Sequence, residues 1–170
     1  FYGGERMTIT DIVVQVADYK VAHICVTGGE PLAQRNVHDL LRGLCDQDYK
    51  VSLETSGAMS IAQVDPRVSI VMDLKTPGSL ELDKNLLSNI DHLTKNDQVK
   101  FVICDRVDYE WSRDQLNKYN LAEKVSDVLF SPSFEQIEAR ELAEWVLEDR
   151  LPVRFQLQQH KLLWADAPGH

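Results

Sequence analysis

The sequence is poor in cysteine and in positive charge, and it has no long apolar run. Only three cysteines occur in 170 residues, Cys25, Cys45 and Cys104, and no two have CxxC spacing. A disulfide framework is therefore not expected, and a reducing cytoplasm is the predicted location. Since no stretch of about 18 apolar residues occurs, a membrane span is excluded. A net charge of −9 argues against non-specific binding to nucleic acid.

Several catalytic motifs are also missing. The sequence contains no G-x-S-x-G nucleophile elbow, no H-E-x-x-H metal motif and no P-loop. Nucleophilic acyl transfer, zinc-protease chemistry and P-loop phosphate binding are therefore not predicted.

Short apolar runs alternate with longer amphipathic segments, and this pattern predicts one α/β domain with a mostly parallel sheet. We expect strands at residues 21–26, 51–53, 68–74, 99–104, 128–130 and 153–158. Helices are expected at 8–19 and 32–45, around Tyr109 to Leu116, and after Ser133, where the S-x-x-Q spacing to Gln136 predicts a capping box. No linker or repeat divides the chain, so a single domain spanning 1–170 is predicted.

Polar or glycine residues follow nearly every predicted strand. They occur at 27–30, at 54–56, at Asp73 and Lys75, and at Ser131 and Ser133. In parallel α/β proteins the carboxyl ends of the strands lie on one rim, where sites are built. Ordinary turns are polar too, so each segment alone has an equally good structural explanation.

The chemistry of these residues suits an amino acid and a sugar. Glycines at 28 and 29 let the backbone approach a ligand closely. Glu30 and Lys75 have the charges that complement the ammonium and carboxylate of a zwitterion, and Glu54 suits the hydroxyls of a ribose. A simple surface pair of Glu30 with Lys75 is the alternative.

Near the end of the chain, Gln156, Gln158 and His160 alternate, so on a strand all three face one side. Such a row can recognise the donor and acceptor edge of a heterocycle. An edge strand with one solvated face is an equally good explanation.

Five motifs in this order carry a family resemblance over essentially the whole chain. They are VTGGEPL at 26–32, LETSG at 53–57, DLKTP at 73–77, FSPS at 130–133 and QLQQHK at 156–161. Together they resemble the 7-carboxy-7-deazaguanine synthases of the radical S-adenosylmethionine (SAM) superfamily. The resemblance implies a partial TIM-like barrel with SAM across the strand ends.

The implied reaction is a ring contraction of 6-carboxy-5,6,7,8-tetrahydropterin to 7-carboxy-7-deazaguanine with loss of ammonia, a step towards queuosine in tRNA. By resemblance, the cofactors are SAM, a [4Fe–4S] cluster that reduces it, and Mg²⁺. The family also implies a reductant such as flavodoxin and a homodimer, with no direct nucleic-acid or membrane partner.

The resemblance assigns site residues position by position. Those expected at SAM are Gly28, Gly29, Glu30, Glu54, Ser56, Asp73, Lys75, Ser131, Pro132 and Ser133. Those expected at the substrate are Thr27, Gln158 and His160. No catalytic residue and no metal ligand is assigned in this chain.

The sequence departs from the family in one place. The family holds its cluster with three closely spaced cysteines in a loop after the first strand, followed by a threonine that contacts Mg²⁺, and this loop is not found here. We therefore expect an N-terminally truncated radical SAM domain without the first strand and cluster loop, inactive by itself. Another radical SAM enzyme, such as an activase, and a non-catalytic remnant that binds SAM or pterin are the alternatives.

Overall fold

The structure, a computed structural model, describes residues 4–164 apart from the side chains of residues 160, 162 and 164. Within this range one sheet of six parallel strands forms, and each strand pairs with the next along the chain. The strands are β1 (His23–Val26), β2 (Lys50–Thr55), β3 (Ser69–Asp73), β4 (Gln98–Ile103), β5 (Asp127–Pro132) and β6 (Arg154–Phe155). The α/β class and the parallel sheet predicted from the sequence are confirmed.

Helices and 3₁₀ turns make the crossovers between the strands. The α-helices are α1 (Ile9–Asp18), α2 (Val37–Cys45), α3 (Arg106–Lys118), α4 (Leu121–Lys124), α5 (Ala139–Glu148) and α6 (Gln159–Trp164). The 3₁₀ turns span Pro31–Ala33, Pro77–Ser79, Leu82–Lys84 and Leu87–His92. No helix between residues 4 and 164 is long and apolar enough to cross a membrane.

The two faces of the sheet differ sharply in polarity. On one face Leu53, Met72, Phe101 and Phe130 are fully buried in the core. On the other face the register aligns Asp73 with Lys100, and Lys100 with Leu129. Because alternate residues of a strand point to opposite faces, Glu54 lies on this second, polar face as well. The sheet therefore presents charged side chains on the face that does not pack against the core.

Two predicted helices begin later than the sequence pattern indicates. The helix expected at 32–45 is a 3₁₀ turn followed by α2, because Gln34 adopts an extended conformation between them. The helix expected after Ser133 begins only at Ala139. Ser133 and Gln136 do form a side-chain hydrogen bond of 2.6 Å. Glu135, two residues after Ser133, has a φ of 60°, and this left-handed conformation interrupts a helix at that point.

The last predicted strand is wrong over most of its length. Only Arg154–Phe155 pair with β5, and one further bond joins the Gln156 N–H to the Phe130 carbonyl. Gln158 follows in irregular backbone, and His160 belongs to α6, with its side chain outside the described atoms. The predicted row of three polar residues on one side of a strand therefore does not form, since the extended backbone ends too early.

Candidate active site

The loop after β1 is shaped by two glycines. Gly28 has a φ of 98° and Gly29 a φ of 58°, a region that side chains with a Cβ rarely adopt. An added Cβ at Gly28 meets nothing within 4 Å, so conformation and not space requires glycine there. This turn brings the chain directly to Glu30.

Glu30 joins the loop after β1 to the end of β2. One carboxylate oxygen accepts from the Leu32 N–H at 3.0 Å, and the other accepts from the Ser56 N–H at 2.8 Å. The hydroxyls of Thr55 and Ser56 donate to the same carboxylate. Burial by itself raises the pKa of Glu30, but the hydrogen bonds from Ser56, Leu32 and Thr55 outweigh it, so the pKa lies below its ordinary value. Glu30 is thus held as a carboxylate.

A small cavity of about 110 Å³ lies between the ends of β1, β2 and β3. Six of the residues predicted from the sequence line it: Thr27, Gly29, Glu54, Ser56, Asp73 and Lys75. Thr55, Val71 and Lys100 complete the lining. The structure therefore brings together residues from three separate strand ends.

Two lysines and two carboxylates lie close together at this cavity. The Lys75 ammonium lies 3.1 Å from Asp73 Oδ2, so Lys75 pairs with Asp73, and the alternative of a simple surface pair of Glu30 with Lys75 is wrong. Lys100 Nζ lies 3.8 Å from Glu54 Oε2 and 3.9 Å from Asp73 Oδ2. Asp73 Oδ1 is buried and has no hydrogen-bond partner within the part of the chain that the structure describes. An acceptor of this kind at a cavity wall can take a hydrogen bond from a ligand.

A second and larger cavity of about 680 Å³ adjoins the first. Its lining includes Ser131 and Gln158, both predicted from the sequence. Glu54 and Lys100 belong to both cavities, which makes them a shared wall. The other lining residues are Arg154, Phe155, Gln156, Leu157 and Gln159.

Some predicted site residues lie outside the lining of both cavities. Gly28 and Glu30 shape the first loop, and Pro132 is buried at the end of β5. The Ser133 N–H donates to the Ile103 carbonyl, and its hydroxyl bonds to Gln136.

Three residues of the site were missed in the sequence. Lys100 lies inside β4 and Arg154 begins β6, so neither follows the carboxyl end of a strand, and only the register reveals that they face the cavities. Asp108 lies on α3, completely buried behind the loop after β3. Its carboxylate accepts from the Gly78 N–H at 2.7 Å and the Cys104 N–H at 3.0 Å, and the Thr76 hydroxyl lies 3.0 Å from it. An N-terminal acidic residue on a helix gave no signal of this tertiary role.

The cysteines are on separate elements, as expected. Cys25 lies in β1, Cys45 ends α2 and Cys104 follows β4, and all three are free thiols. Among the described residues no group of three His, Cys, Asp or Glu side chains is arranged to hold a metal ion.

The fold of this chain is shared with known enzymes. Solved structures with the same fold include QueE from Escherichia coli, with a TM-score of 0.65 and 17% identity, covering 89% of this chain and 64% of that one. Streptococcus suis SuiB bound to S-adenosylmethionine has a TM-score of 0.63 and 13% identity, covering 94% of this chain and 44% of that one. The chain thus has the partial TIM-like fold of the radical SAM enzymes.

Curated relatives identify the family within this class. A 7-carboxy-7-deazaguanine synthase from Chlorobaculum tepidum is 41% identical over 98% of this chain and 77% of its own length. One from Koribacter versatilis is 39% identical over 97% and 79%, and one from Thermoplasma acidophilum is 32% identical over 99% and 80%. No protein-family model matches the chain. The chain belongs to the 7-carboxy-7-deazaguanine synthase family.

Proposed function

We propose that this chain belongs to an enzyme that makes 7-carboxy-7-deazaguanine, the product for which its relatives are named, by the radical SAM conversion of 6-carboxy-5,6,7,8-tetrahydropterin with loss of ammonia. Queuosine formation is the pathway in which we place it. The observation that carries the proposal is the small cavity, because six predicted site residues from three strand ends line it. A second cavity for another molecule adjoins it across Glu54 and Lys100.

The residues of the small cavity fit one end of SAM. Its volume of about 110 Å³ is below the about 300–1,000 Å³ of whole-ligand pockets, so the rest of the cofactor extends past the shared wall. Lys75 provides a cation for the methionine carboxylate. Asp73, with its unpartnered oxygen, and Glu54, with an exposed carboxylate, provide acceptors for hydroxyl or ammonium donors. When bound, SAM supplies the hydrogen-abstracting chemistry of the reaction.

The Gly28–Glu30 loop orients this end of the site. Glu30 is occupied by donors from Leu32 and Ser56, so it fixes the loop against β2. Contact of the same carboxylate with the SAM ammonium, which the resemblance implies, is part of the proposal.

The pterin is assigned to the larger cavity. Amide side chains of Gln156 and Gln158 line it and can pair with the donor and acceptor edge of a pterin ring. Thr27, on the small-cavity side, and His160 remain proposed substrate residues.

The described residues do not fit a [4Fe–4S] cluster or Mg²⁺. The three cysteines are on different elements, and no group of potential ligands converges. Both groups belong to the proposed activity, and the described residues form no ligand set for either. A single domain, a reductant such as flavodoxin, a homodimer and a cytoplasmic location complete the proposal.

Asp73→Asn is expected to weaken SAM binding about tenfold, the effect of losing one charge-assisted interaction. Asparagine replaces the carboxylate, including its unpartnered Oδ1, by a neutral amide, so a hydroxyl or ammonium donor of SAM loses its charged acceptor. Calorimetric titration of SAM into the chain measures this change.

Asp91→Asn is the matched control, because Asp91 is exposed and lies outside both cavity linings. Its SAM affinity should equal that of the unchanged chain. If the unchanged chain shows no saturable SAM binding, the proposed function is wrong. If the unchanged chain binds SAM and Asp73→Asn binds it equally well, the proposed role of Asp73 is wrong.

A further inference from the structure

Lys100 lies near the middle of the polar face and has no partner at hydrogen-bond distance among the residues that the structure describes. Its side chain is 20% exposed, and its ammonium lies 3.8 Å from Glu54 and 3.9 Å from Asp73. Hydrogen bonds from nitrogen to oxygen are about 2.7–3.2 Å long, so neither carboxylate accepts one from Lys100. A mostly enclosed ammonium with three donors has the chemistry to bind an acceptor that enters the cavity.

The charge of the larger cavity is the second observation. Lys100 and Arg154 line it as cations, and Glu54 is the one carboxylate among its described lining residues. The lining is therefore net positive in a chain whose formal net charge is −9. The small cavity is balanced, with Glu54 and Asp73 against Lys75 and Lys100. A ligand with net negative charge is therefore favoured in the larger cavity, whereas the balanced small cavity suits a zwitterion.

The pairing register of β4, β5 and β6 places the two cations on either side of one residue. Lys100 on β4 and Arg154 on β6 are both aligned with Leu129 on β5, so they flank it on the same face. Neighbouring strands are about 4.8 Å apart, which puts the two strand positions roughly 10 Å from each other. Arg154 Nη1 lies 3.6 Å from Asp127 Oδ2, and its side chain is 52% exposed. Lys100 is thus the more enclosed cation and the one beside the shared wall.

We infer that Lys100 is a specificity-determining residue that binds the carboxylate of the carboxylated pterin in the larger cavity. The inference rests on the proposed function, which places the pterin there. Glu54 and Asp73 lie 3.8 and 3.9 Å from the Lys100 ammonium and do not occupy its hydrogen-bond donors. An incoming carboxylate at hydrogen-bond distance then gains a charge-assisted contact in a partly enclosed site.

Lys100→Met tests this role when it is combined with a change in the ligand. The probes are 6-carboxypterin and the same pterin without its carboxylate, titrated into the full chain and followed by pterin fluorescence. Lys100→Met should bind 6-carboxypterin about tenfold more weakly, the loss expected for one charge-assisted contact. Its affinity for the uncarboxylated pterin should stay within about twofold, since that ligand makes no such contact.

Two further variants separate recognition from structure. Lys100→Arg keeps the charge and should restore most of the preference for the carboxylated ligand. Lys50→Met removes a lysine at the exposed start of β2, outside both cavity linings, and should alter neither affinity.

The possible results differ clearly. Equal losses for both pterins on Lys100→Met, or an unchanged preference for the carboxylated one, would overturn the role of Lys100. If the unchanged chain binds neither pterin, the proposed function itself fails, and the inference with it. A preference that is lost in Lys100→Met and regained in Lys100→Arg supports the inference.

Discussion

Asp108→Ala should lower the free energy of unfolding by about 3 kcal/mol, which is in the range for loss of a buried hydrogen-bond network. The side chain is completely buried and accepts from the Gly78 and Cys104 N–H groups. Alanine leaves both donors without this acceptor. Urea unfolding followed by circular dichroism measures the change.

The same substitution is expected to affect the site, because Asp108 holds the loop that follows Lys75. The fit is tight: a Cβ added at Gly78 would lie 2.7 Å from Asp108 Oδ2. Asp114→Ala, at an exposed position of α3, is the control and should change the free energy of unfolding by less than about 0.5 kcal/mol. Equal stability of the two variants would show that Asp108 does not tie these loops together.

Glu30→Gln should cost about 2 kcal/mol of stability at pH 7, because hydrogen bonds to a charged acceptor are replaced by weaker ones. In addition, the amide nitrogen of glutamine cannot accept from the Ser56 or the Leu32 N–H. The free energy of unfolding at pH 7, from urea titration, measures the loss. SAM affinity should fall as well, since Glu30 fixes the loop that lines the small cavity.

The stabilisation by the Glu30 carboxylate is expected to depend on pH. The pKa of Glu30 in the folded chain lies below the ordinary 4.5, so its carboxylate stabilises the fold above that pH. As the pH falls through the lowered pKa, Glu30 is protonated and this contribution disappears. The stability difference between the unchanged chain and Glu30→Gln should therefore be largest at neutral pH and shrink in acid. A difference that stays constant down to pH 3 contradicts the role of the charge.

Sequence reasoning was most successful where one local signal determined the structure. The strands around Leu53, Met72, Phe101 and Phe130 were predicted because short apolar runs ended at glycine or polar residues. Convergence of the strand ends followed from the parallel topology.

It failed where the residue pattern carried no signal of the local backbone conformation or of the neighbouring strands. Spacing alone could not show that the chain at Glu135 adopts a left-handed conformation before α5. The strand that begins at Arg154 ends at Phe155, and residues 156–158 lead in irregular backbone to α6, which begins at Gln159. Lys100 was missed because a lysine between apolar residues is recognised as part of a site only when its neighbours on β3 and β5 are known.

The pairing of each strand with its sequence neighbour gives the two cavities unequal local stability. The wall of the small cavity depends on β2 and β3, which are hydrogen-bonded on both sides, and Glu30 fastens the loop after β1 to it. The wall of the larger cavity depends on the two-residue edge strand β6 and the backbone that follows it. Short edge elements open at a lower free energy than interior strands. The wall of the larger cavity is therefore expected to open at a lower free energy than the wall of the small cavity.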